Sequence, residues 1–408
     1  MRTCPRSPTG ISQWATSSCS RGDLLHRPRL VHLATSDMTL SLLLGPQLRA
    51  FAAAGYEVIG LSAPGRYVSD LESWGIEHRP LCHATRAFAP SQDVRLLFEL
   101  RGLLAELRPD IVHTHTPKPG YVGRLAARTS RVPIIVHTVH GIFALPEDRW
   151  TKKAVVYTLD RVASAFSDME LVQNPEDMPV LRRLGVPERK LRLLGNGIDL
   201  ARFDPSRFSP QRIAALRAEL GFGPDDIVCG AVGRLVWEKG YRHLFDAAAR
   251  LRGAMPELKF VIVGPTADRD AVPRDELERV AALGNVQFLG LRDDVERLYA
   301  AMDLYVLATF REGFPRSAME AAAMGLPLAL TDIRGCRQVV DDGVNGVLVP
   351  ARDSSALTDA IEALARDPSL RRRMGHASSE KAKREFDQQR VIDITLEVYD
   401  RLLAAHNK

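Results

Sequence analysis

The sequence predicts an α/β fold made of two domains, each built around a parallel sheet. Apolar runs of strand length alternate along the chain with amphipathic segments of helix length, which is the pattern of βα units. The chain has 408 residues, more than a single hydrophobic core ordinarily serves. A strand–loop–helix unit also begins each half, RLVHLATS from residue 29 and IVCGAVG from residue 227. We therefore predict a domain boundary near residue 200.

The positive charge of the chain is concentrated in its first half. The formal net charge is +5, and residues 1–200 hold 25 Lys and Arg against 19 Asp and Glu. Such an excess suits a surface that meets phosphate groups or anionic lipid. No run of Lys and Arg with interleaved aromatic residues is present, so the sequence does not indicate a nucleic-acid partner.

The cysteines and the apolar runs bear on cellular location. The five cysteines are scattered without CxxC spacing, which indicates neither a disulfide framework nor a zinc site. No apolar run reaches the length of a transmembrane helix. We expect a cytoplasmic protein, and the basic first half adds the expectation of peripheral contact with the inner face of the cell membrane.

The first domain is predicted over residues 29–200. Residues 1–28 precede it, are rich in Arg, Ser and Pro, and are predicted to form a disordered extension. RLVHLATS is the first strand, SDMTLS a loop, the following segment a helix, and YEVIGLSAPG the second strand, which together make a βαβ unit. The unit lacks the GxGxxG fingerprint, so it does not support dinucleotide binding.

Several polar residues follow predicted strands within this domain. DIVHTH is a strand whose His113 and His115 share one face, but no third ligand pattern accompanies them, so a metal site is not predicted. In the loop TPKPG, Lys118 precedes a predicted helix start, where N–H groups and an ammonium group could bind a phosphate. His140 ends the strand PIIVHTVHG, at the edge of a sheet where α/β proteins bind ligands.

The second domain, predicted over residues 201–384, contains two loops suited to a diphosphate. The loop RLVWEKG carries Arg234 and Lys239 at the carboxyl end of a strand, where two cations would neutralise a diphosphate leaving group. Further on, LYVLATF is a strand, REGF a loop and RSAMEAAAM a helix. The helix begins just after Pro315, and its unpaired N–H groups form an anion site.

Two carboxylates flank that anion site. Glu312 lies on the loop and Glu320 about two turns into the helix. Carboxylates bind phosphate poorly, but they are good acceptors for sugar hydroxyl groups. The pattern therefore predicts a ligand with a phosphate in the middle and hydroxyl-bearing rings on both sides, which describes a nucleotide sugar.

The tract EGFPRSAME, residues 312–320, resembles the donor-site motif of retaining GT-B glycosyltransferases, specifically glycosyltransferase family 4 of the bacterial surface-polysaccharide type. The resemblance extends over nearly the whole chain from about Arg29. It implies a GT-B fold with two Rossmann-like domains facing across a cleft. The first would bind the acceptor, the second the nucleotide sugar, and residues 385–408 would pack back on the first.

The resemblance also implies roles for individual residues. Glu312 would hold the hydroxyl groups of the transferred sugar, and Glu320 the ribose. The catalytic set that it implies is His140, Arg234, Lys239 and Glu312. The implied donor contacts are Arg234, Lys239, Arg292, Glu312, Gly313, Phe314, Pro315, Arg316, Ser317 and Glu320. Lys118 is the predicted acceptor contact, and neither a metal nor another cofactor is expected.

The function implied is retaining transfer of a hexose from a nucleotide sugar to a hydroxyl group of a glycan acceptor, one that Lys118 and the basic first half suggest is lipid-linked. Two alternatives remain open. A hydrolysing nucleotide-sugar epimerase would share the two-domain fold but release the nucleotide without an acceptor. A non-catalytic sensor would keep the phosphate site and have no need of His140.

Overall fold

Two parallel sheets form the framework of the protein, which confirms the predicted α/β fold. The structure is a computed structural model that describes residues 27–85, 89–144, 148–266 and 270–406. Residues 1–26, and with them nearly all of the predicted disordered extension, lie outside the described residues.

The first sheet has the strand order β3-β2-β1-β4-β5-β6-β7, and all of its pairings are parallel. Its strands are β1 Arg29–Ser36, β2 Glu57–Ala63, β3 Glu77–Pro80, β4 Ile111–His115, β5 Ile134–Val139, β6 Met169–Val172 and β7 Leu191–Leu193. The central strands are buried along their length because helices cover both faces of the sheet.

The second sheet has the order β10-β9-β8-β11-β12-β13, again all parallel. Its strands are β8 Ile227–Val232, β9 Leu258–Val263, β10 Val286–Gly290, β11 Leu304–Leu307, β12 Leu328–Thr331 and β13 Gly346–Val349. Each sheet reverses its strand order next to its first strand, and such switch points are where open α/β sheets bind ligands.

Helices connect the strands of both sheets. Those of the first half are α1 Gly45–Ala53, α2 Val68–Ser73, α3 Pro90–Leu107, α4 Arg124–Thr129, α5 Trp150–Ala165 and α6 Asp177–Arg183. Those of the second half are α7 Pro210–Glu219, α8 Tyr241–Ala254, α9 Arg274–Ala281, α10 Val295–Ala301, α11 Arg316–Ala323, α12 Ser354–Arg366, α13 Pro368–Glu385 and α14 Gln388–His406.

The segment SDMTLS, predicted as a loop, is helical over most of its length, so that prediction was wrong. The chain turns into a helix at Asp37, directly after β1, and continues as a π-helical stretch, Thr39–Leu43, into α1. Pro46 lies in the first turn of α1 and has no N–H to donate to the preceding turn. The wider π turn ends on the bond from the Leu44 N–H to the Thr39 carbonyl oxygen, 3.1 Å.

The final helix, α14, crosses back from the second half of the chain to the first sheet. Its Tyr399 is fully buried and packs edge-on against Phe51 of α1 and against His113 of β4. The hydroxyl of Tyr56, which precedes β2, donates a hydrogen bond to Asp400 of α14, 2.9 Å. Among the described residues, none of the helices is both long and apolar enough to span a membrane.

Candidate active site

The two sheets face each other across a cleft, and side chains of the first half hold the loop that leads into α11. The Asn174 side-chain amide, just after β6, donates to the Gly313 carbonyl oxygen at 2.8 Å. The Asn196 amide donates to the Phe314 carbonyl oxygen at 3.1 Å. The predicted donor loop is therefore held from across the cleft by the predicted acceptor domain.

His140 lies against the same loop. A Cβ atom added to Gly313 would come within 1.7 Å of the His140 carbonyl oxygen, so only glycine allows this approach. Gly141, the next residue, has φ +122°, and a Cβ there would lie 2.8 Å from the Gly313 Cα. The structure thus brings His140, predicted from the end of one strand, next to the loop predicted from the end of another.

Lys239 and Glu312 form an ion pair within the cleft, and each side chain is less than one-fifth exposed. The pair joins two loops that the sequence placed at the ends of β8 and β11. Arg234, on the same loop as Lys239, is exposed and has no ion-pair partner among the described residues. The pair and the arginine together give this edge of the second sheet a net positive charge.

The turn that carries Lys239 fits closely against β11. Gly240 has φ +74°, and a Cβ there would lie 1.9 Å from the Ala308 carbonyl oxygen. A side chain at this position would therefore both strain the backbone and separate the two loops. The glycine allows Lys239 to reach Glu312.

The N-terminus of α11 points into the cleft. Pro315 precedes the helix, and no side chain caps it, so the first N–H groups of Arg316 and Ser317 are open to a ligand. The Ser317 hydroxyl receives a hydrogen bond from the Tyr305 hydroxyl at 2.8 Å. The Arg316 guanidinium donates to the Leu43 carbonyl oxygen of the first half at 3.0 Å.

Glu320 lies on the second turn of α11, beneath that N-terminus. Burial raises the pKa of Glu320, an effect that the nearby Arg316 guanidinium partly offsets. Its Oε2 accepts a hydrogen bond from the buried Tyr299 hydroxyl at 3.1 Å. The other oxygen, Oε1, has no hydrogen bond in the described part of the chain, so one acceptor remains for a ligand hydroxyl group.

His140 belongs to a chain of hydrogen-bonded side chains. Its Nδ1 lies 3.1 Å from Gln173 Oε1, and its Nε2 lies 3.2 Å from His115 Nδ1. His115 Nε2 in turn lies 3.0 Å from His32 Nδ1. Burial lowers the pKa of His140 to about 4, which keeps the imidazole neutral near pH 7.

Three buried histidines beneath the cleft could together hold a metal ion by position alone. His32, His113 and His115 place one nitrogen each within 4.8 Å of one another. His32 of β1 is the third member that the sequence did not reveal. All their ring nitrogens except His32 Nε2 have hydrogen-bond partners within the protein. Burial also lowers the pKa of each histidine. The cluster is therefore explained as three neutral histidines of the core.

Two predicted contacts lie with their charges already paired. Arg292, after β10, binds both carboxylate oxygens of Asp294 at 2.8 Å. Lys118, at the start of a π-helical turn after β4, lies 2.5 Å from Asp93 Oδ1 and donates to Thr85. The structure thus places Lys118 near the cleft edge but pairs its ammonium group with a carboxylate, and its role in acceptor binding stays a prediction.

Sequence reasoning missed the residues that join the domains. Asn174 and Asn196 are two of them. A third contact is the pair of Arg334, after β12, with Asp177 of α6, 2.6 Å apart, in which the Asp177 side chain is fully buried. Asn174 follows the strand MELV and Asn196 lies in the turn LGNG, so a systematic search of strand ends would have included both.

Comparison with known proteins supports a family assignment. The family model described as Glycosyltransferase Family 4 matches residues 47–202, and the one described as Glycosyl transferases group 1 matches residues 226–367. The two matches together span both sheets, and the second includes Lys239, Glu312 and α11.

Similar proteins match over nearly their full lengths. The putative glycosyltransferase EpsD of Bacillus subtilis (strain 168) is 30% identical over 381 residues, 91% of this chain and 96% of that protein. N,N'-diacetylbacillosaminyl-diphospho-undecaprenol alpha-1,3-N-acetylgalactosaminyltransferase of Campylobacter jejuni is 24% identical, over 88% and 94%. Anabaena Alr3699/HepE in complex with UDP and glucose superposes with a TM-score of 0.75 at 23% identity, over 91% and 99% of the two chains, which supports the GT-B fold.

Proposed function

The chain belongs to glycosyltransferase family 4, and we propose that it transfers a hexose from a nucleotide sugar to a hydroxyl group of a lipid-linked glycan, with retention of configuration. This reaction would serve polysaccharide or glycolipid biosynthesis. The observation that carries the proposal is the meeting of Lys239, Glu312 and the N-terminus of α11 at the edge of the cleft opposite His140.

The donor diphosphate would lie between the two loops of the second sheet. Lys239 and the unpaired Arg234 supply positive charge from the β8 loop, and the N–H groups at Arg316 and Ser317 supply hydrogen-bond donors from α11. These groups stabilise the negative charge that grows on the diphosphate as the glycosidic bond breaks. Because side-chain cations do this, the scheme requires no metal ion or other cofactor.

The two rings of the donor would lie on either side of the diphosphate. Glu312, on the loop facing His140, would accept hydrogen bonds from the hydroxyl groups of the transferred sugar. Glu320, deeper under α11, has an unpaired Oε1 for the ribose. The complex of the similar Anabaena protein with UDP and glucose supports a nucleotide-sugar donor.

Retention follows in this scheme from reaction on one face of the sugar. The bond from the anomeric carbon to the diphosphate oxygen breaks, and the acceptor oxygen forms its bond on the same face. The departing oxygen takes the proton of the acceptor hydroxyl group, so the protein need not supply a nucleophile or a base. The neutral imidazole of His140, held by Gln173 and His115, would lie beside the sugar and leave the positive charge to Lys239 and Arg234.

A lipid-linked acceptor is the proposal's most specific element. The Campylobacter jejuni relative is named for an acceptor carried on diphospho-undecaprenol. The basic excess of the first half agrees with an anionic carrier at a membrane surface. Such an acceptor would require the protein to work as a peripheral protein on the inner face of the cell membrane.

The test is a transfer assay with a panel of labelled nucleotide sugars. Donors are first selected by the rise in melting temperature on binding. Each is then incubated with the protein, with and without a lipid-linked glycan, and the anomeric configuration of the product is read by NMR. Retained configuration in an acceptor-dependent product supports the proposal. Nucleotide release that does not need the acceptor would indicate a hydrolase or epimerase, and binding without turnover a sensor.

A further inference from the structure

Helix α5 turns an apolar face outward. Surface helices ordinarily bury their apolar residues against the core. In α5, however, the Trp150 side chain is 77% exposed and Val155 60% exposed, and Leu159 and Val162 are exposed as well. Only Val156 and the small Ala163 and Ser164 are buried from this helix.

No acidic residue interrupts this outward face, and the exposed charged residues of α5 are the cations Lys152 and Arg161. Residues 155, 159 and 162 follow the helical repeat, so they form one stripe along the helix. Beside the stripe lie the small, uncharged exposed residues Thr151, Ala154, Thr158 and Ala165, together with the exposed Lys152, which pairs with Asp148. Such a face has the composition of an interfacial helix, and in water it is an unpartnered surface.

A second exposed apolar pair lies on α3. Phe98 is 65% exposed and Val94 is exposed too, while Leu96 and Leu100 of the same helix face the sheet. We call Val94, Phe98, Trp150, Val155, Leu159 and Val162 together the α3–α5 face.

Both helices pack on the same side of the first sheet, with the π-helical turn Pro119–Gly123 between them. Two contacts join that turn to the helices. The Tyr121 hydroxyl donates to Asp160 of α5 at 3.0 Å, and Lys118, just before the turn, pairs with Asp93 of α3.

Positive charge surrounds the α3–α5 face. Three of the nearby carboxylates are turned inward: Asp93 pairs with Lys118, Asp160 accepts from Tyr121, and Glu99 accepts from the Cys82 and His83 N–H groups. A fourth, Glu106 at the end of α3, is exposed and pairs with Arg79. The exposed arginines of this layer, by contrast, have no ion-pair partner among the described residues, namely Arg95, Arg101, Arg128 and Arg149.

We propose that the α3–α5 face docks on an anionic lipid bilayer, with its apolar side chains among the acyl chains and its arginines at the headgroups. The choice of a bilayer rests on the proposed function, which needs a lipid-linked acceptor. Charge argues against a second copy, because a two-fold interface would place this arginine-rich face against itself. The N-termini of α3 and α5 follow the carboxyl ends of strands, so docking brings the mouth of the cleft to the membrane.

The test uses the full chain and vesicles of phosphatidylglycerol and phosphatidylcholine, without acceptor. The wild type should co-sediment with these vesicles at low salt, less at high salt, and little with phosphatidylcholine alone. The double variant V155E and L159E, and F98E separately, should weaken vesicle binding by about tenfold or more, because each places a carboxylate among acyl chains. Val344→Glu changes an equally exposed apolar residue on a turn of the second sheet and should bind like the wild type.

The melting temperature and the donor binding of each variant show whether it is correctly folded, and these surface changes should leave both unaltered. Failure of the wild type to bind anionic vesicles, or wild-type binding by the double variant, overturns the proposal. So does a lipid-free dimer that the double variant abolishes, since the partner would then be a second copy.

An assay with detergent-solubilised acceptor separates this proposal from the proposed function. If the double variant transfers sugar there but not to acceptor in vesicles, the surface is the bilayer contact. If the wild type binds vesicles but transfers to no lipid-linked acceptor in detergent, the proposed function fails and the docking surface stands.

Discussion

Lys239 and Arg234 are on one loop but have different surroundings. Lys239 is paired with Glu312 and largely buried, whereas Arg234 is exposed. Both positions were predicted from the rule that ligands bind at the carboxyl ends of parallel strands. The pairing of Lys239 with Glu312 was not predictable, because it depends on the turn at Gly240 and on its approach to Ala308.

We expect Lys239→Ala and Arg234→Ala each to lower kcat/KM for transfer by about a hundredfold or more, the scale of losing one preorganised charge contact. Steady-state kinetics with the selected donor measures this. Lys259→Ala is the matched control, because Lys259 lies at the opposite, amino-terminal end of its strand β9 and should leave the kinetics unchanged. Wild-type kinetics in a folded Lys239 variant would contradict the proposed role of Lys239 in binding the donor diphosphate.

Glu320 should act in binding rather than in chemistry. If its carboxylate holds the ribose, it serves the ground state and the transition state alike. Glu320→Ala should therefore raise the donor KM more than it lowers kcat, and Glu320→Gln, which keeps an acceptor for the Tyr299 hydroxyl, should have a smaller effect. Equal losses in kcat and kcat/KM would instead indicate a contact made only in the transition state.

His140 should stay neutral across the working pH range. Burial lowers its pKa to about 4, so the imidazole gains a proton only when the pH falls toward that value. An NMR titration of labelled histidine should show no midpoint for His140 between about pH 5 and 8, a window around the ordinary histidine pKa. A His140 midpoint near 6.5 would contradict the prediction.

At the scale of elements, strands were predictable and the joins between elements were not. The strands are short apolar runs whose burial on both faces dictates their composition. The π turns at residues 39–43 and 119–123 depend on where prolines fall within helices that tertiary contacts hold in place. His32, whose ring contacts His115, comes from 83 residues earlier, and no local pattern signals such a contact.

The packing of the crossing helix α14 on the first sheet should depend on one buried hydrogen bond, and with it the stability of the protein. The Tyr399 hydroxyl lies within hydrogen-bond distance of His113 Nδ1, and both side chains are fully buried. Tyr399→Phe would leave that nitrogen without a partner, so we expect the free energy of unfolding to fall by about 1–3 kcal/mol. Urea denaturation measures the change. Tyr157→Phe, which removes a hydroxyl without a hydrogen bond in the described part of the chain, should cost far less.

At the scale of the whole molecule, the relation of the two domains is set by a few polar contacts. Arg334 spans the cleft to Asp177 and also donates to the Ile142 carbonyl oxygen at 2.7 Å. Burial raises the pKa of Asp177, which the Arg334 guanidinium counteracts. The sequence predicts two domains from length and βα repeats, but their orientation depends on pairings between residues more than 110 positions apart.

We expect Arg334→Ala to open the cleft. The variant would leave the Asp177 carboxylate buried and unpaired, at a cost of about 3–5 kcal/mol unless the domains separate and water reaches it. Small-angle X-ray scattering should then show a larger radius of gyration, and the donor KM should rise by about tenfold or more. Arg182→Ala, which breaks only an exposed pair with Glu188 inside the first domain, should change both quantities little. Wild-type scattering and KM in the Arg334 variant would show that other contacts fix the orientation.

One close approach of the two domains is made by backbone on both sides. Gly313 meets the carbonyl oxygen of His140 directly, and a methyl carbon placed there would lie 1.7 Å from that oxygen. The backbone at Gly313 is not in the left-handed region, so alanine would fit the local conformation without strain and act entirely as a wedge between the two halves. A single added carbon atom at Gly313 should therefore hold the two domains apart while leaving each of them intact, and such a variant would allow the open form of the molecule to be isolated.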